Sequence, residues 1–508
     1  MAAYILTNAV KRLMTSQRLS QKSLSSANSG IQLPTYDRSK MKSGIVHLGV
    51  GAFHRAHQAV FVDDCLKNGE MNWAITAASL RSGETRDALA PQDNLYTLVT
   101  RDNTEERLRV IGSINEIIVA PESPELLLAS LTSSFTKIVS MTITEKGYNA
   151  NLTTGDLLFG NADVIRDLEG KNIPRTFLAY LTNAIFKRRN AGIPPFTILC
   201  CDNLPHNGKL LHRVLTQYAS AVDRDLGAFV LNEICCPCTM VDRIVPATTD
   251  EDCVLVSDRL GLEDSWPVVA EPFCQWVIED NFPTGRPEWE TSGVEFVKNV
   301  EPFEHMKLRL LNGAHSAIAA IGRVAGVSTV AETVGVQVVR KFIKAYWDEV
   351  IRTLPIQLDG QAYANRLLTR FNNRSLAHRT SQIATDASQK IRQRIVCPLV
   401  ELLAHKTPAP ALTFVVAAWI QSCAGRNELG EFMPVNDPVF EAWSAKPNQS
   451  TASAEEIVDA YLDFSLFLGK DLPTNTMFRL DLITALEKIR RLGVLAAVER
   501  SVGPIPLV

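Results

Sequence analysis

GIVHLGVGAFHRAHQAV, residues 44–60, decides the fold. It opens on a short apolar run, Gly44–Val50, turns at Gly49 and Gly51, and continues as a helical pattern from Ala56 to Leu66. A short apolar run bounded by glycines reads as a buried strand. Two glycines at this spacing allow a tight turn and let the backbone approach a phosphate. The helix that follows turns its unpaired N–H groups and its positive dipole end toward that charge. Gly49, Gly51, Ala52, Phe53 and His54 are the candidate cofactor-binding residues of this loop. The third position of the glycine fingerprint holds His54, not glycine, so the strand-before, helix-after context carries much of the reading.

Outward from this loop, strand-like and helix-like segments alternate. Trp73–Leu80, Thr136–Ile143 and Phe196–Cys201 are the next strand candidates. Strands separated by helices predict a parallel, doubly wound α/β sheet. From about residue 300 strand signals vanish. Helical periodicity then covers 303–325, 332–353, 360–371, 380–404, 410–424, 454–468 and 476–499, divided by Pro355, Pro398, Pro408, Pro410 and Gly425. The expected division is an arm at 1–33, an α/β domain at 34–295 and an all-α domain at 296–508.

Composition narrows the function. The chain has 508 residues, 46% of them hydrophobic, with 52 basic against 55 acidic residues and a net charge of −3. This balance offers no electrostatic footprint for nucleic acid or an anionic membrane. No apolar run reaches the roughly 18 residues a bilayer span needs; Ala411–Ile420 fits a buried helix better. The ten cysteines read as reduced thiols of an intracellular, cytoplasmic protein, and Cys235, Cys236 and Cys238 lack the second pair that a zinc site requires. The first acidic residue is Asp37, behind Lys11, Arg12, Arg18 and Lys22. That composition resembles a mitochondrial transit peptide, against the plainer reading of an exposed arm.

At the end of the second strand, dinucleotide folds place an acidic residue on the ribose hydroxyls. Here Glu84 favours NAD, while the nearer Arg81 tolerates a 2′-phosphate and hence NADP; both stay open. Tyr36 and Lys40 have the spacing of a Tyr-x-x-x-Lys catalytic pair, but precede the glycine loop and are discounted.

KLRLLNGAH, residues 307–315, sets Lys307, Asn312 and His315 among leucines. At about 100° per residue, an α-helix puts Asn312 near 140°, His315 near 80° and Glu304 near 60° from Lys307, within one mixed arc of about 140°. Buried polar groups without partners are costly, so the set together points to function. It suits alcohol–carbonyl chemistry. A lysine serves as base if burial lowers its pKa from about 10.4 toward roughly 7–8. An asparagine amide donates to a developing oxyanion, and a histidine orients substrate or base. No metal is required. Gly313 costs about 1 kcal/mol in a helix interior, and is expected where backbone passes close to a ligand.

These motifs resemble those of the polyol-specific long-chain dehydrogenases, a family that includes mannitol 2-dehydrogenases and fructuronate reductases. Lys-x4-Asn-x2-His is similar to the family signature, and residues 45–60 to its cofactor loop. TITEKGYN (142–149), CDNLPHNG (201–208), MVDRIVP (240–246) and EPFCQWVIEDNF (271–282) resemble further family blocks. The resemblance covers roughly residues 34–500. It implies a Rossmann-type domain followed by an all-helical one, an NAD cofactor, and a polyol or sugar-acid substrate. It implies Lys307 as general base, Asn203 and Asn312 as oxyanion hole, and His315 and Asp242 on substrate hydroxyls. Glu304 resembles a proton-relaying carboxylate, and Lys390 a substrate-side lysine. Asn203 also follows a strand's C-terminal end, where such sheets place ligands.

The sequence departs from mannitol dehydrogenases at Gln382, where they carry arginine eight residues before the lysine. Ala387 and Arg392 stand where relatives have Gly and Pro. TEKGYN leans toward fructuronate reductases and CDNLPHNG toward mannitol dehydrogenases, so D-mannitol/D-fructose and D-mannonate/D-fructuronate both stay open, with other polyols such as arabinitol behind them. A non-catalytic dinucleotide- or sugar-binding paralogue is expected to lose Lys307, Asn203 or Asn312; all three are present. The expected protein works as a monomer or small homo-oligomer, without a nucleic-acid or membrane partner.

Overall fold

In the computed structural model, residues 17–152, 154–171, 173–355 and 358–501 are described. The chain divides into two compact units, one running to Glu301 and one beginning at Pro302.

The first unit is built on a parallel sheet. Its strands are β1 (Ser43–Leu48), β2 (Ala74–Ser79), β3 (Ile114–Val119), β4 (Ile138–Met141) and β5 (Thr197–Cys200). Among the described residues the sheet order is β3-β2-β1-β4-β5, with every neighbour parallel. Order reverses between β1 and β4, the switch point at which doubly wound sheets open a ligand crevice beyond their C-terminal ends. Helices on both faces explain the near-continuous apolar strands: Ile45, Val46 and Leu48 are all fully buried. Ile114–Val119, with its charged Glu116, carries no clean alternation, and the sequence reading passes over this edge strand. It also passes over the hairpin Tyr96–Arg101 with Glu106–Ile111, and over the strands Thr239–Asp242 and Gln275–Glu279.

The segment from Gln17 to Leu33 is mostly exposed and is anchored through a few buried residues. Leu19 and Leu24 are buried in an apolar cluster with Leu95, Val110, Leu260 and Leu262. The Leu19 N–H donates to the Glu263 carbonyl. Residues 1–16, with Lys11 and Arg12 of the targeting reading, lie outside the described residues, while Arg18 and Lys22 are exposed.

The second unit is helical. Glu301–Met306, Lys307–Asn312 and Gly313–Val324 form one continuous rod, α1. Its neighbours include α2 (Gln337–Ile351), the short α3 (Ala387–Ile391) and α4 (Pro410–Ser422), and α5 (Thr476–Leu492) packs on α4. Leu310, Ile318, Phe342, Ile343, Leu412, Val416, Leu482 and Leu486 fill the core between them. The expected helix at 380–404 is broken into Thr380–Ile383, α3, a π turn at Arg392–Val396 and Cys397–Ala404. No helix among the described residues is long and apolar enough to cross a membrane.

Candidate functional site

In the first unit a cleft of ≈ 710 Å³ opens at the sheet's C-terminal edge. Gly49 and Gly51 line it from the turn after β1, Ser79 and Arg81 from the end of β2, and Thr142 and Thr144 from the end of β4. Its volume lies within the roughly 300–1,000 Å³ of small-molecule sites. Gly49 adopts φ +95°, and a Cβ there would lie 2.1 Å from the Thr142 carbonyl oxygen. Only glycine lets β1 and β4 approach this closely. Gly51 has nothing within 4 Å of its absent Cβ, so the turn keeps open space.

The other candidate loop residues sit differently. Ala52 and Phe53 open the short helix Ala52–Ala56. His54 is buried and stacks on His47 with ring centroids 3.4 Å apart. It does not line the cleft. The third fingerprint glycine normally permits close helix–strand packing; here a flat imidazole fills that place. Burial, with the charges of His47, Arg55 and His57 behind it, holds His54 well below the usual histidine range. Glu84 begins the helix Glu84–Leu89 and is exposed, while Arg81 lines the cleft.

Two clusters absent from the sequence reading shape this edge. Asp202 accepts hydrogen bonds from the Ile143 N–H (3.1 Å), the Thr144 N–H (3.3 Å) and the Tyr148 hydroxyl (2.7 Å). It thereby ties the turn before Asn203 to the loop after β4. Thr144 in that loop has φ +69° and ψ +155°, a region essentially reserved for glycine that costs other residues about 1–3 kcal/mol. Asn207, fully buried, donates to the Asp202 carbonyl (3.1 Å) and the Thr239 carbonyl (2.9 Å). It staples the Asp202–Asn203 turn to the strand that ends in Asp242. Asn203 is exposed and Asp242 buried, on two segments that Asn207 holds together. The TITEKGYN and CDNLPHNG blocks marked both clusters without indicating a geometric role.

In the second unit Glu304, Lys307, Asn312 and His315 are all less than a tenth exposed. Lys307–Asn312 is a π-helix, which corrects the α-helical geometry expected for it. The Gly313 N–H bonds the Leu308 carbonyl, five residues back. Residues five apart therefore lie one turn above another, which brings Lys307 and Asn312 onto one face rather than 140° apart. Where such a turn gives way to α-helix, a carbonyl is passed over and needs an outside donor. The Tyr346 hydroxyl donates to the Arg309 carbonyl (2.7 Å) and the Trp347 indole N–H to the Leu310 carbonyl (2.9 Å). Both donors stand on α2. The local sequence KLRLLN carries no signal for the π turn; its partners lie some 37 residues away in sequence.

His315 packs against Phe371 (centroids 4.6 Å) and edge-on against His378 (5.1 Å). Its Nε2 has no hydrogen-bond partner among the described residues. Burial, then the charges of His378, Arg370, Arg394 and Lys307, hold it well below the usual histidine range and thus neutral. Arg394 reaches the Ser316 hydroxyl at 3.2 Å. Lys390, half-buried on α3, donates to the Thr385 carbonyl. The Ser388 N–H and hydroxyl, beside it, both donate to Asp437 at 2.7 Å. Gln382 lies exposed in the helix Thr380–Ile383, and Arg392 opens the second π turn. Gly313 has a reason other than ligand approach. A Cβ there would lie 2.0 Å from the Tyr346 hydroxyl and 3.0 Å from the Arg394 carbonyl.

Sheet order, glycine turn and a helical second unit define the class, a Rossmann-type α/β fold followed by a helical C-terminal unit. The family description "Mannitol dehydrogenase Rossmann domain" matches residues 43–291, and "Mannitol dehydrogenase C-terminal domain" matches 299–490. The chain belongs to the mannitol dehydrogenase family. Mannitol 2-dehydrogenase of Pyrenophora tritici-repentis (strain Pt-1C-BFP) is 40% identical over 493 residues, 95% of this chain and 86% of its own. An uncharacterized oxidoreductase of Escherichia coli (strain K12) is 40% identical over 452 residues, 88% of this chain and 92% of its own. Among solved structures, a Pseudomonas fluorescens mannitol 2-dehydrogenase in ternary complex with NAD and D-mannitol superposes with a TM-score of 0.86. It is 34% identical over 95% of this chain and 99% of that one. A D-sorbitol dehydrogenase in substrate-free form gives the same TM-score at 32% identity, over 94% of this chain and 100% of that one.

Proposed function

We propose that the chain is an NAD-dependent polyol dehydrogenase that interconverts D-mannitol and D-fructose, with Lys307 as its general base. The observation that carries this reading is the burial of an amine, an amide and an imidazole on one rod, with amine and amide aligned by a π turn. Lys307 takes the hydroxyl proton in oxidation and returns it in reduction. The amides of Asn312 and Asn203 donate to the oxygen as negative charge develops on it. His315, held neutral, offers its Nε2 to a substrate hydroxyl. Asp242 and Lys390 recognise further hydroxyls, and Glu304 passes the Lys307 proton toward solvent.

The cleft suits a dinucleotide. The Gly49 turn leaves no room for a Cβ, and Gly51 keeps space beside it for a pyrophosphate. Gly49 and Gly51 hold the phosphates against the helix opened by Ala52 and Phe53, with His54 packed beneath. A nicotinamide dinucleotide bound there supplies the hydride acceptor of the reaction. Arg81 lines the cleft at the β2 end while Glu84 stands outside it, which keeps NADP as a second cofactor.

A second reading, D-mannonate and D-fructuronate, is favoured by one observation. Arg370, Arg394 and Lys307 all press their charge on His315, a setting that suits a substrate carboxylate. The protein works as a monomer or small homo-oligomer without nucleic acid. Ten free cysteines suit the cytoplasm, and the acid-free N-terminal stretch suits the mitochondrial matrix as the alternative.

A paired assay tests both readings. Purified protein is given NADH or NADPH with D-fructose or D-fructuronate, and nicotinamide absorbance is followed. Loss of absorbance with fructose supports the first reading, and with fructuronate alone the second. No turnover of any ketose or ketouronate overturns both.

A further inference from the structure

We infer that Thr144 is a binding residue, whose hydroxyl contacts the nicotinamide half of the dinucleotide; this rests on reading the cleft as a dinucleotide site. Thr144 is a β-branched residue at φ +69° and ψ +155°, where glycine alone is at ease. The surroundings enforce this backbone. Asp202 accepts the N–H groups of Ile143 and Thr144, and the Thr144 carbonyl accepts the Gly147 N–H at 3.0 Å.

None of these bonds uses the Thr144 side chain. Its hydroxyl makes no hydrogen bond within the described residues, and the residue is exposed on the wall of the cleft. Glycine would keep every backbone bond and relieve the strain. A side chain that strains the backbone and makes no hydrogen bond within the fold is available to a ligand in the cleft.

Topology says which part of the ligand that is. A dinucleotide lies across the switch point, one half over β2 and the other over β4. Arg81, at the end of β2, marks the adenosine half. Thr144 follows β4 and faces the other half, whose ribose hydroxyls and carboxamide are hydrogen-bonding groups that a threonine hydroxyl fits.

The test is equilibrium binding of NADH and of ADP, which lacks the nicotinamide half, to wild type and to Thr144→Gly, Thr144→Ala and Thr144→Ser. Thr144→Gly is expected to melt at or above the wild-type temperature while binding NADH roughly three- to tenfold more weakly, the range of one hydrogen bond. Thr144→Ala should lose the same affinity, Thr144→Ser should retain it, and ADP should bind all four proteins alike. NADH binding unchanged in the Gly and Ala variants would overturn the inference, as would an equal loss for ADP. A wild type that binds neither NADH nor ADP would instead fell the dinucleotide reading of the cleft, and Thr144 with it.

Discussion

The Tyr346 hydroxyl lies 2.0 Å from the point a Cβ on Gly313 would occupy, and donates to the Arg309 carbonyl at 2.7 Å. One contact thus satisfies the carbonyl released by the π turn and forbids any side chain at residue 313. Gly313→Ala should displace Tyr346, strand that carbonyl and destabilise the second unit by about 1–3 kcal/mol. Tyr346→Phe removes the obstructing oxygen at the cost of the hydrogen bond. The double variant should therefore be more stable than the sum of the two single losses predicts. Denaturant midpoints of the four proteins measure this coupling. Strict additivity would mean that the two residues do not meet.

Lys307→Ala should lower turnover by at least the roughly 10²-fold that general-base catalysis supplies. In the proposed reaction Lys307 acts on the substrate hydroxyl and the glycine turn on the phosphates, so NADH binding should stay near wild type. Steady-state rates paired with NADH titration separate the two effects. A Lys307→Ala enzyme with wild-type turnover removes the base assignment. A variant that loses NADH binding as well points to general damage.

Lys307, Asn312 and His315 were legible as a set because amine, amide and imidazole stand out among Leu308, Leu310 and Leu311. Their geometry was not. Nothing local distinguishes a π turn from an α-helix in KLRLLN; the donors that stabilise it, Tyr346 and Trp347, come from α2. The glycine turn was legible for a related reason. Gly49 answers a local steric demand, and a strand with glycines at its end announces it. Asp202 and Asn207 were hidden because their work is tertiary: each joins segments remote in sequence. The fingerprint spacing puts His54 in the turn's lining, whereas its stack on His47 sets it beneath. The edge strand Ile114–Val119 escaped because half-buried residues on a sheet edge leave no clean period.

Three buried histidines make stability fall with acid. Burial lowers His47 to about 3, with His54 and His315 also held well below the ordinary value near 6.5. As pH drops below about 6.5 the unfolded chain takes up protons that the folded chain refuses. Stability from these groups is therefore complete above pH 7 and declines as pH falls, by about 1.4 kcal/mol per pH unit for each histidine once below 6.5. Burial raises Glu349 to about 7, so between pH 6.5 and 5 it titrates in the opposite sense, a contribution common to wild type and a histidine variant. Over that window His54→Phe should flatten the slope of unfolding free energy by about one proton. An unchanged slope would show that His54 takes up its proton in the folded protein.

Gly49 and Gly51 should respond to the same substitution in opposite ways. Gly49→Ala places a Cβ 2.1 Å from the Thr142 carbonyl, at a φ of +95° that alanine resists. It should cost about 2–4 kcal/mol of stability and abolish NADH binding, since β1 and β4 must part to admit the methyl. Gly51 has φ −83° and nothing within 4 Å of its Cβ position. Gly51→Ala should thus fold as well as wild type, with its melting temperature unchanged or slightly raised by the lower entropy of the unfolded chain. Its methyl would fall in the space read as the pyrophosphate's, so NADH affinity should drop at least tenfold while stability holds. Thermal melts and NADH titrations of both variants decide the matter. A Gly51→Ala protein that binds NADH normally would move the pyrophosphate away from this turn, whatever Gly49→Ala does to the fold.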